Sequence, residues 1–159
     1  MTGVKFGSVL KMGMIIGGDA IEDAPKVTGR IKNFQRLGCI PHVNTGRGID
    51  ASYSLKAVWT VAVLLELHRL GIKREEAVKL LNAAPEWYGI NVLERKAITF
   101  SVPDRRSQIT IDVEWLATIV ASIWTEAAQD TAFHQEKRNR DIIDVRPLKR
   151  GKKKEAGHG

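Results

Sequence analysis

The chain has 159 residues and a formal net charge of +7, a length suited to one packed domain or to a small domain with an added dimerisation element. Its hydrophobic share of 43% and charged share of 27% exclude global disorder. No apolar run approaches the roughly 18 residues of a membrane span, and Lys11 interrupts the only N-terminal run resembling a signal peptide. The single cysteine, Cys39, excludes an internal disulfide framework. We therefore expect a cytoplasmic protein that does not bind membranes.

Positive charge is concentrated towards the two ends of the chain. Residues 1–56 have a charge balance of +4, residues 57–133 a balance of −2, and residues 134–159 a balance of +5. Residues 25–48 include five Lys and Arg residues and no acidic residue. This distribution is typical of a polyanion-binding head on a neutral or acidic scaffold, although a solvated basic surface gives the same pattern.

The first third of the chain predicts two helices and a hairpin. Apolar residues at helical spacing predict a first helix over residues 8–16 and a second over residues 24–37. Gly38 follows where a left-handed C-terminal cap is expected. Turn-forming residues and a short alternating stretch then predict a small hairpin over residues 41–53.

The remainder of the chain predicts three further helices and a strand pair. Ser54 is placed to cap a long helix over residues 55–70, which is apolar on most sides and is therefore expected to be the buried, central helix. A shorter helix over residues 73–84 follows. Alternation over residues 98–113 predicts strand–turn–strand, and 3/4 apolar spacing predicts a final helix over residues 114–132.

The helix predicted over residues 24–37 has an apolar face and a polar face. At about 100° per residue, its apolar stripe points away from a surface rich in donors for phosphate oxygens and base edges. That surface consists of Thr28, Gly29, Lys32 and Arg36, flanked by Lys26, Asn33 and Gln35. Gly29 lets the helix backbone approach a bound molecule, and Arg30, beside the apolar stripe, is expected to reach sideways to a phosphate. Because solvated helices usually mix both signs of charge, the missing acids favour a binding surface.

Residues 27–81 resemble the DNA-binding domain of the MerR-like (mercury-resistance-regulator) winged-helix family. The matching features are Arg36-Leu37-Gly38-Cys39-Ile40-Pro41 at the end of the second helix, the turn Asn44-Thr45-Gly46-Arg47-Gly48, Tyr53-Ser54-Leu55 before the long helix, and Leu70-Gly71-Ile72 before the next helix. The resemblance rests on the order and spacing of these motifs, and it covers a third of the chain.

The resemblance implies a helix-turn-helix whose second helix enters the major groove, while a wing over residues 42–50 contacts the flanking DNA backbone. Together with the charge pattern, it identifies the following candidate DNA-binding residues: Lys26, Thr28, Gly29, Arg30, Lys32, Asn33 and Arg36 on the helix, and His42, Asn44, Thr45 and Arg47 in the wing. The chain departs from the family where two tyrosines are replaced by Asn33 and Phe34, which removes a hydroxyl contact to phosphate. Residues 4–26 are also longer and richer in glycine than the family pattern.

The C-terminal part of the chain has a strand pair and one amphipathic helix where the family has a long coiled coil. The apolar stripe of that helix is either core or a dimer contact, and it consists of Leu116, Ile119, Val120, Ile123 and Trp124. A helix-turn-helix gains affinity and sequence information from two half-sites, so we expect a homodimer through this stripe. The basic segment after residue 133 is expected to be a mostly flexible tail, either for solubility or as a DNA-binding arm.

The predicted fold class is mostly α with small β elements (α+β). It comprises a winged helix-turn-helix domain over residues 1–84, a hairpin and helix over residues 85–133 and a basic tail over residues 134–159. The histidines and Cys39 lack metal-ligand spacing, and no catalytic set or phosphate-binding loop can be assigned. We therefore expect no metal, no cofactor and no enzymatic activity, and no small-molecule effector is evident.

The combined pattern predicts a sequence-specific, double-stranded DNA-binding transcriptional regulator associated with the nucleoid. The alternative is a non-enzymatic phage-type packaging, adaptor or architectural protein. Such a protein uses the same fold for loose DNA binding or for protein binding.

Overall fold

The structure, a computed structural model, describes residues 3–40, 51–84, 87–88, 96–102 and 107–145, the last seven of these by their backbone alone. The elements in chain order are β1 (Val4–Lys5), α1 (Phe6–Gly17), a 3-10 turn (Ile21–Asp23), α2 (Ala24–Arg36), β2 (Ser52–Tyr53), α3 (Leu55–Arg69), α4 (Arg74–Ala83), β3 (Ala97–Ser101), β4 (Gln108–Asp112) and α5 (Val113–Val145). The described chain is therefore mainly helical with two small antiparallel sheets, which confirms the predicted mostly α class with small β elements.

Helix α3 forms the centre of the core. Every residue from 57 to 67 is buried, as its nearly uniform apolar sequence predicts. The helix begins at the predicted cap, where the Ser54 hydroxyl accepts a hydrogen bond from the Ala57 backbone N–H at 3.2 Å. The helices α1, α2, α4 and α5 all pack against α3, so one core unites the two regions expected on either side of residue 84.

Helices α1 and α2 approach each other closely at Gly13. A Cβ atom at this position would lie 2.8 Å from Val27 Cγ1 on α2 and 3.1 Å from Leu65 Cδ1 on α3. Only glycine therefore allows this spacing without displacing a neighbour. The chain leaves α1 through Gly18, whose φ of 65° is in the left-handed region.

The first sheet joins the N-terminus of the chain to the segment before α3. Val4 pairs with Tyr53 and Lys5 with Ser52 in antiparallel register. Most of the predicted hairpin, over residues 41–53, lies outside the described residues, and only its last strand, β2, is described. Among the described residues, the last strand of this hairpin pairs with β1. Sequence alternation cannot reveal β1, because a strand of two residues is too short to show the pattern.

The second sheet is the predicted strand pair and leads directly into α5. Its register runs from Ala97 opposite Asp112 to Ser101 opposite Gln108. The Asp112 carboxylate then accepts a hydrogen bond from the Trp115 backbone N–H at 3.0 Å, which caps the first turn of α5.

Helix α5 is longer than predicted. It continues to Val145, so residues 134–145 are helical, whereas the sequence interpretation assigned them to a flexible tail. This segment includes no Gly or Pro, and several of its residues (Gln, Glu, Lys and Arg) favour the helix. Because residues 134–138 are exposed, intrinsic propensity rather than packing accounts for the helix in that part of the extension.

The apolar stripe of α5 is part of the chain's own core, which corrects the expectation of a dimer contact there. Leu116 is 0% exposed, Val120 and Ile123 are each 2% exposed and Ile119 is 8% exposed, and Trp124 packs against the same core. The expectation assumed that the hairpin alone would cover the stripe. In the structure, α1 and α3 pack against α5 as well, which leaves little of the stripe for a partner.

Candidate nucleic-acid interface

Helix α2 presents the polar surface that the sequence predicts. Its apolar residues Val27, Ile31 and Phe34 are each 0% exposed. On the opposite side Lys32 and Arg36 are exposed, and three predicted DNA-binding residues are partly exposed: Thr28, Gly29 and Asn33. The helix ends as expected, with Leu37 as the capping residue and Gly38 in the left-handed conformation at a φ of 72°.

Lys32 and Arg36 keep their charges available. Within the described part of the chain, no hydrogen bond or ion pair occupies either side chain. Arg36 lies in the last turn of α2, where the negative end of the helix dipole stabilises a cation. The two side chains therefore provide hydrogen-bond donors on one helix for an anionic ligand.

The other two cations of α2 are paired with acids. Lys26 Nζ lies 2.6 Å from Asp23 Oδ1, and this hydrogen bond raises the pKa of Lys26 and lowers that of Asp23. Arg30 Nη1 lies 3.2 Å from Asp19 Oδ2. The sequence interpretation did not foresee this pair, which forms because Asp19 lies close to α2 in the fold. The expectation that Arg30 reaches a phosphate stays a prediction.

Gln35 and Tyr53 connect α2 to the first sheet. The Gln35 side-chain amide donates a hydrogen bond to the Tyr53 hydroxyl. The Tyr53 ring is 1% exposed and lies 6.3 Å from the Phe6 ring between centroids, and its burial raises the pKa of the phenol. Sequence reasoning placed Gln35 on an exposed flank and missed this contact, since nothing local to either residue signals it.

The predicted wing residues His42, Asn44, Thr45 and Arg47 lie outside the described residues. The chain on both sides of them is nevertheless anchored. Ile40 is 3% exposed, and β2 is paired with β1. Ile40 follows the C-terminal end of α2, and Ser52–Tyr53 lies beside the strand that precedes α1.

Cys39 and His68 are the two chemically distinctive side chains near α2. The Cys39 thiol donates to the Phe34 carbonyl oxygen at 3.3 Å, and burial raises its pKa, which disfavours a reactive thiolate. His68 Nδ1 is buried with no hydrogen-bond partner among the described residues. Burial first, and then the charges of Arg30 and Arg74, lower the pKa of His68. Across the described ranges, no three His, Cys, Asp or Glu side chains form a group that could hold a metal ion.

A polar cleft of about 410 Å³ lies between the start of α1 and the middle of α5. Lys11 and Glu126 pair across it, with 2.6 Å between Nζ and Oε1. Lys5 and Asp130 also line the cleft. Its charges are mixed, in contrast to those on the outer face of α2.

Comparison of the chain with protein-family models, with curated proteins and with solved structures finds no match. The resemblance to MerR-like proteins therefore rests on the motifs quoted above and stays a prediction. No helix within the described residues is long and apolar enough to cross a membrane.

Proposed function

We propose that the chain is a sequence-specific regulator that binds double-stranded DNA with helix α2 in the major groove. One observation carries this proposal. The outer face of α2 holds two exposed cations, Lys32 and Arg36, and no described acid pairs with either of them. Cations that do not have to break an internal ion pair can exchange counterions for phosphates, and an arginine can also bind a guanine edge.

The packing of α2 supports the same function. Its apolar side is held by α1 and α3, with the close approach at Gly13 fixing α1 behind it. The outer side holds the exposed Lys32 and Arg36, and a helix that enters a groove about 12 Å wide must have such an uncovered side. Lys26 and Arg30 are paired with Asp23 and Asp19, so each would have to leave an acid before it could bind a phosphate.

The first sheet supports a wing in this proposal. Pairing of β1 with β2 brings the chain back to α1 immediately after residues 41–50. In this proposal His42, Asn44, Thr45 and Arg47, which the family resemblance assigns to the wing, contact the flanking DNA backbone. Such contacts position the protein on the duplex without reading its sequence.

Enrichment of random duplexes followed by mobility-shift titration tests the proposed function. The wild type should select a sequence, and the Lys32→Ala/Arg36→Ala double variant should bind it about tenfold more weakly or worse and lose preference at one position. The double variant Lys73→Ala/Lys79→Ala removes the same charge from exposed positions at the start of α4 and within it, and it should keep the preference.

Two outcomes contradict the proposal. Binding that depends on salt but selects no sequence indicates the adaptor or architectural alternative. Unchanged affinity in the Lys32→Ala/Arg36→Ala variant means that the outer face of α2 is only a solvated surface.

A further inference from the structure

Gly29 occupies the interior of α2, where glycine is unfavourable. A glycine inside a helix costs about 1 kcal/mol relative to alanine, because its backbone loses more freedom on folding. Gly29 has no positive φ that would require glycine. A Cβ atom built on it would meet no heavy atom within 4 Å. Nothing in the described part of the chain therefore explains this residue.

The other described glycines differ from Gly29 in this respect. Gly18, Gly38 and Gly71 have positive φ values. Added Cβ atoms at Gly3, Gly13 and Gly17 would each come within 3.0 Å of a neighbouring atom. Gly7 is also open, but it lies in the first turn of α1, where the helix gains less from alanine. Among the described glycines, Gly29 is thus the one inside a helix that neither a positive φ nor a close neighbouring atom requires.

The position of Gly29 indicates what fills the space above it. It lies nearly opposite the buried residues Val27, Ile31 and Phe34, at the middle of the outer face. Lys32 and Arg36 follow on the same face, about one and two turns further along. When a helix lies in the major groove, the middle of its outer face points at the groove floor and its flanks point at the phosphates.

We propose that base edges on the groove floor lie against the backbone of Gly29, which makes it the point of closest approach between α2 and DNA. This inference rests on the DNA-binding function proposed above and extends it to the part of the duplex that the middle of the helix contacts. The missing side chain lets the whole helix lie deeper, which brings the Lys32 and Arg36 donors within reach of base edges.

The consequence is that stability and DNA binding respond to Gly29→Ala in opposite directions. The added methyl group improves helix propensity and meets nothing in the free protein, so the melting temperature should rise. The same methyl group crowds the groove floor in the complex. Overpacking of a close contact weakens binding to the selected duplex by about tenfold. A substitution at a residue with only a structural role would change the melting temperature and the affinity for the selected duplex in the same direction.

The experiment uses the full chain as wild type, Gly29→Ala and Gly7→Ala. Each protein is melted and is titrated with the enriched duplex and with a random duplex. Gly29→Ala should melt at a higher temperature, bind the enriched duplex about tenfold more weakly and keep its affinity for the random duplex. Gly7 lies in the cleft that faces α5, so Gly7→Ala should bind both duplexes as the wild type does.

Each contrary result has a distinct meaning. If Gly29→Ala binds the enriched duplex like the wild type, or is less stable than the wild type, the close approach is wrong while the proposed DNA binding stands. If it weakens binding to both duplexes equally, the helix contacts the DNA backbone there and the assignment to base edges is wrong. If the wild type selects no duplex, the proposed function itself fails.

Discussion

Arg30 on α2 donates a hydrogen bond to Asp19, in the connection that follows α1, with 3.2 Å between Nη1 and Oδ2. The pair is only partly exposed, with 31% of the Arg30 side chain and 16% of the Asp19 side chain accessible. It links the middle of α2 to the connection that follows α1. It also pairs one of the four cations of α2 with an acid, so the cations of this helix without a described acidic partner are Lys32 and Arg36.

Release of Arg30 from its partner should change both stability and DNA binding. The variant Asp19→Asn removes the carboxylate charge at nearly constant volume, and we expect the free energy of unfolding to fall by about 1 kcal/mol. The freed guanidinium should strengthen binding to random duplex and steepen the salt dependence by about one unit. Urea denaturation and titrations at several salt concentrations measure the two effects.

Glu22→Gln is the matched control for this variant, since it removes the same charge from an exposed side chain in the same connection. It should leave the free energy of unfolding within about 0.5 kcal/mol of the wild type. Equal effects of both variants on DNA binding would mean that net charge, rather than release of Arg30, is responsible.

Truncation of Ile123 tests whether the apolar stripe of α5 is core. Ile123 is 2% exposed, so Ile123→Ala should lower the free energy of unfolding by about 2–5 kcal/mol through lost burial and the cavity that remains. The neighbouring exposed Ser122 provides the control. Ser122→Ala should change the free energy of unfolding by less than about 0.5 kcal/mol. Urea denaturation and sedimentation are measured together. If the wild type is a dimer and Ile123→Ala converts it into an equally stable monomer, the stripe is a dimer contact and its assignment to the core is wrong.

His68 should make the protein less stable as the pH falls below neutrality. Burial lowers the pKa of His68 in the folded chain, whereas the unfolded chain binds the proton with a pKa of about 6.5. The unfolded state therefore takes up the proton first, and the free energy of unfolding decreases as the pH falls from about 7.5 and levels off below the folded-state pKa. His68→Gln should remove this component. His134→Gln, at an exposed position, should retain it, and an unchanged pH profile in His68→Gln contradicts the prediction.

Arg47 tests the wing. If it binds a phosphate of the flanking backbone, Arg47→Ala should weaken binding to all duplexes alike and lower the salt dependence by about one unit. Sequence preference should be unaffected, in contrast to Lys32→Ala/Arg36→Ala. Lys79→Ala removes an equal charge from an exposed position on α4. The wing contact is wrong if this control and Arg47→Ala give the same salt dependence.

The sequence by itself determined the features that depend on residues close together along the chain. The apolar spacing of α2 and α3, the Ser54 cap, the left-handed Gly38 and the strand pair before α5 all agree with the structure. In each case the deciding interactions are those of a turn, a cap or one face of a single element. Their geometry follows from backbone periodicity without reference to the rest of the fold.

Only the tertiary structure decided which surfaces and charges remain free. Asp19 pairs with Arg30, and β1 pairs with β2. Helices α1 and α3 cover the apolar stripe of α5. Each of these contacts joins parts of the chain that are separate in sequence. Spacing identifies an apolar or charged face but not its partner, because burial and ion pairing depend on the packing of whole elements. For this reason the sequence indicated five candidate cations between residues 25 and 48. In the fold, Lys32 and Arg36 are the described ones among them that have no acidic partner within the described residues.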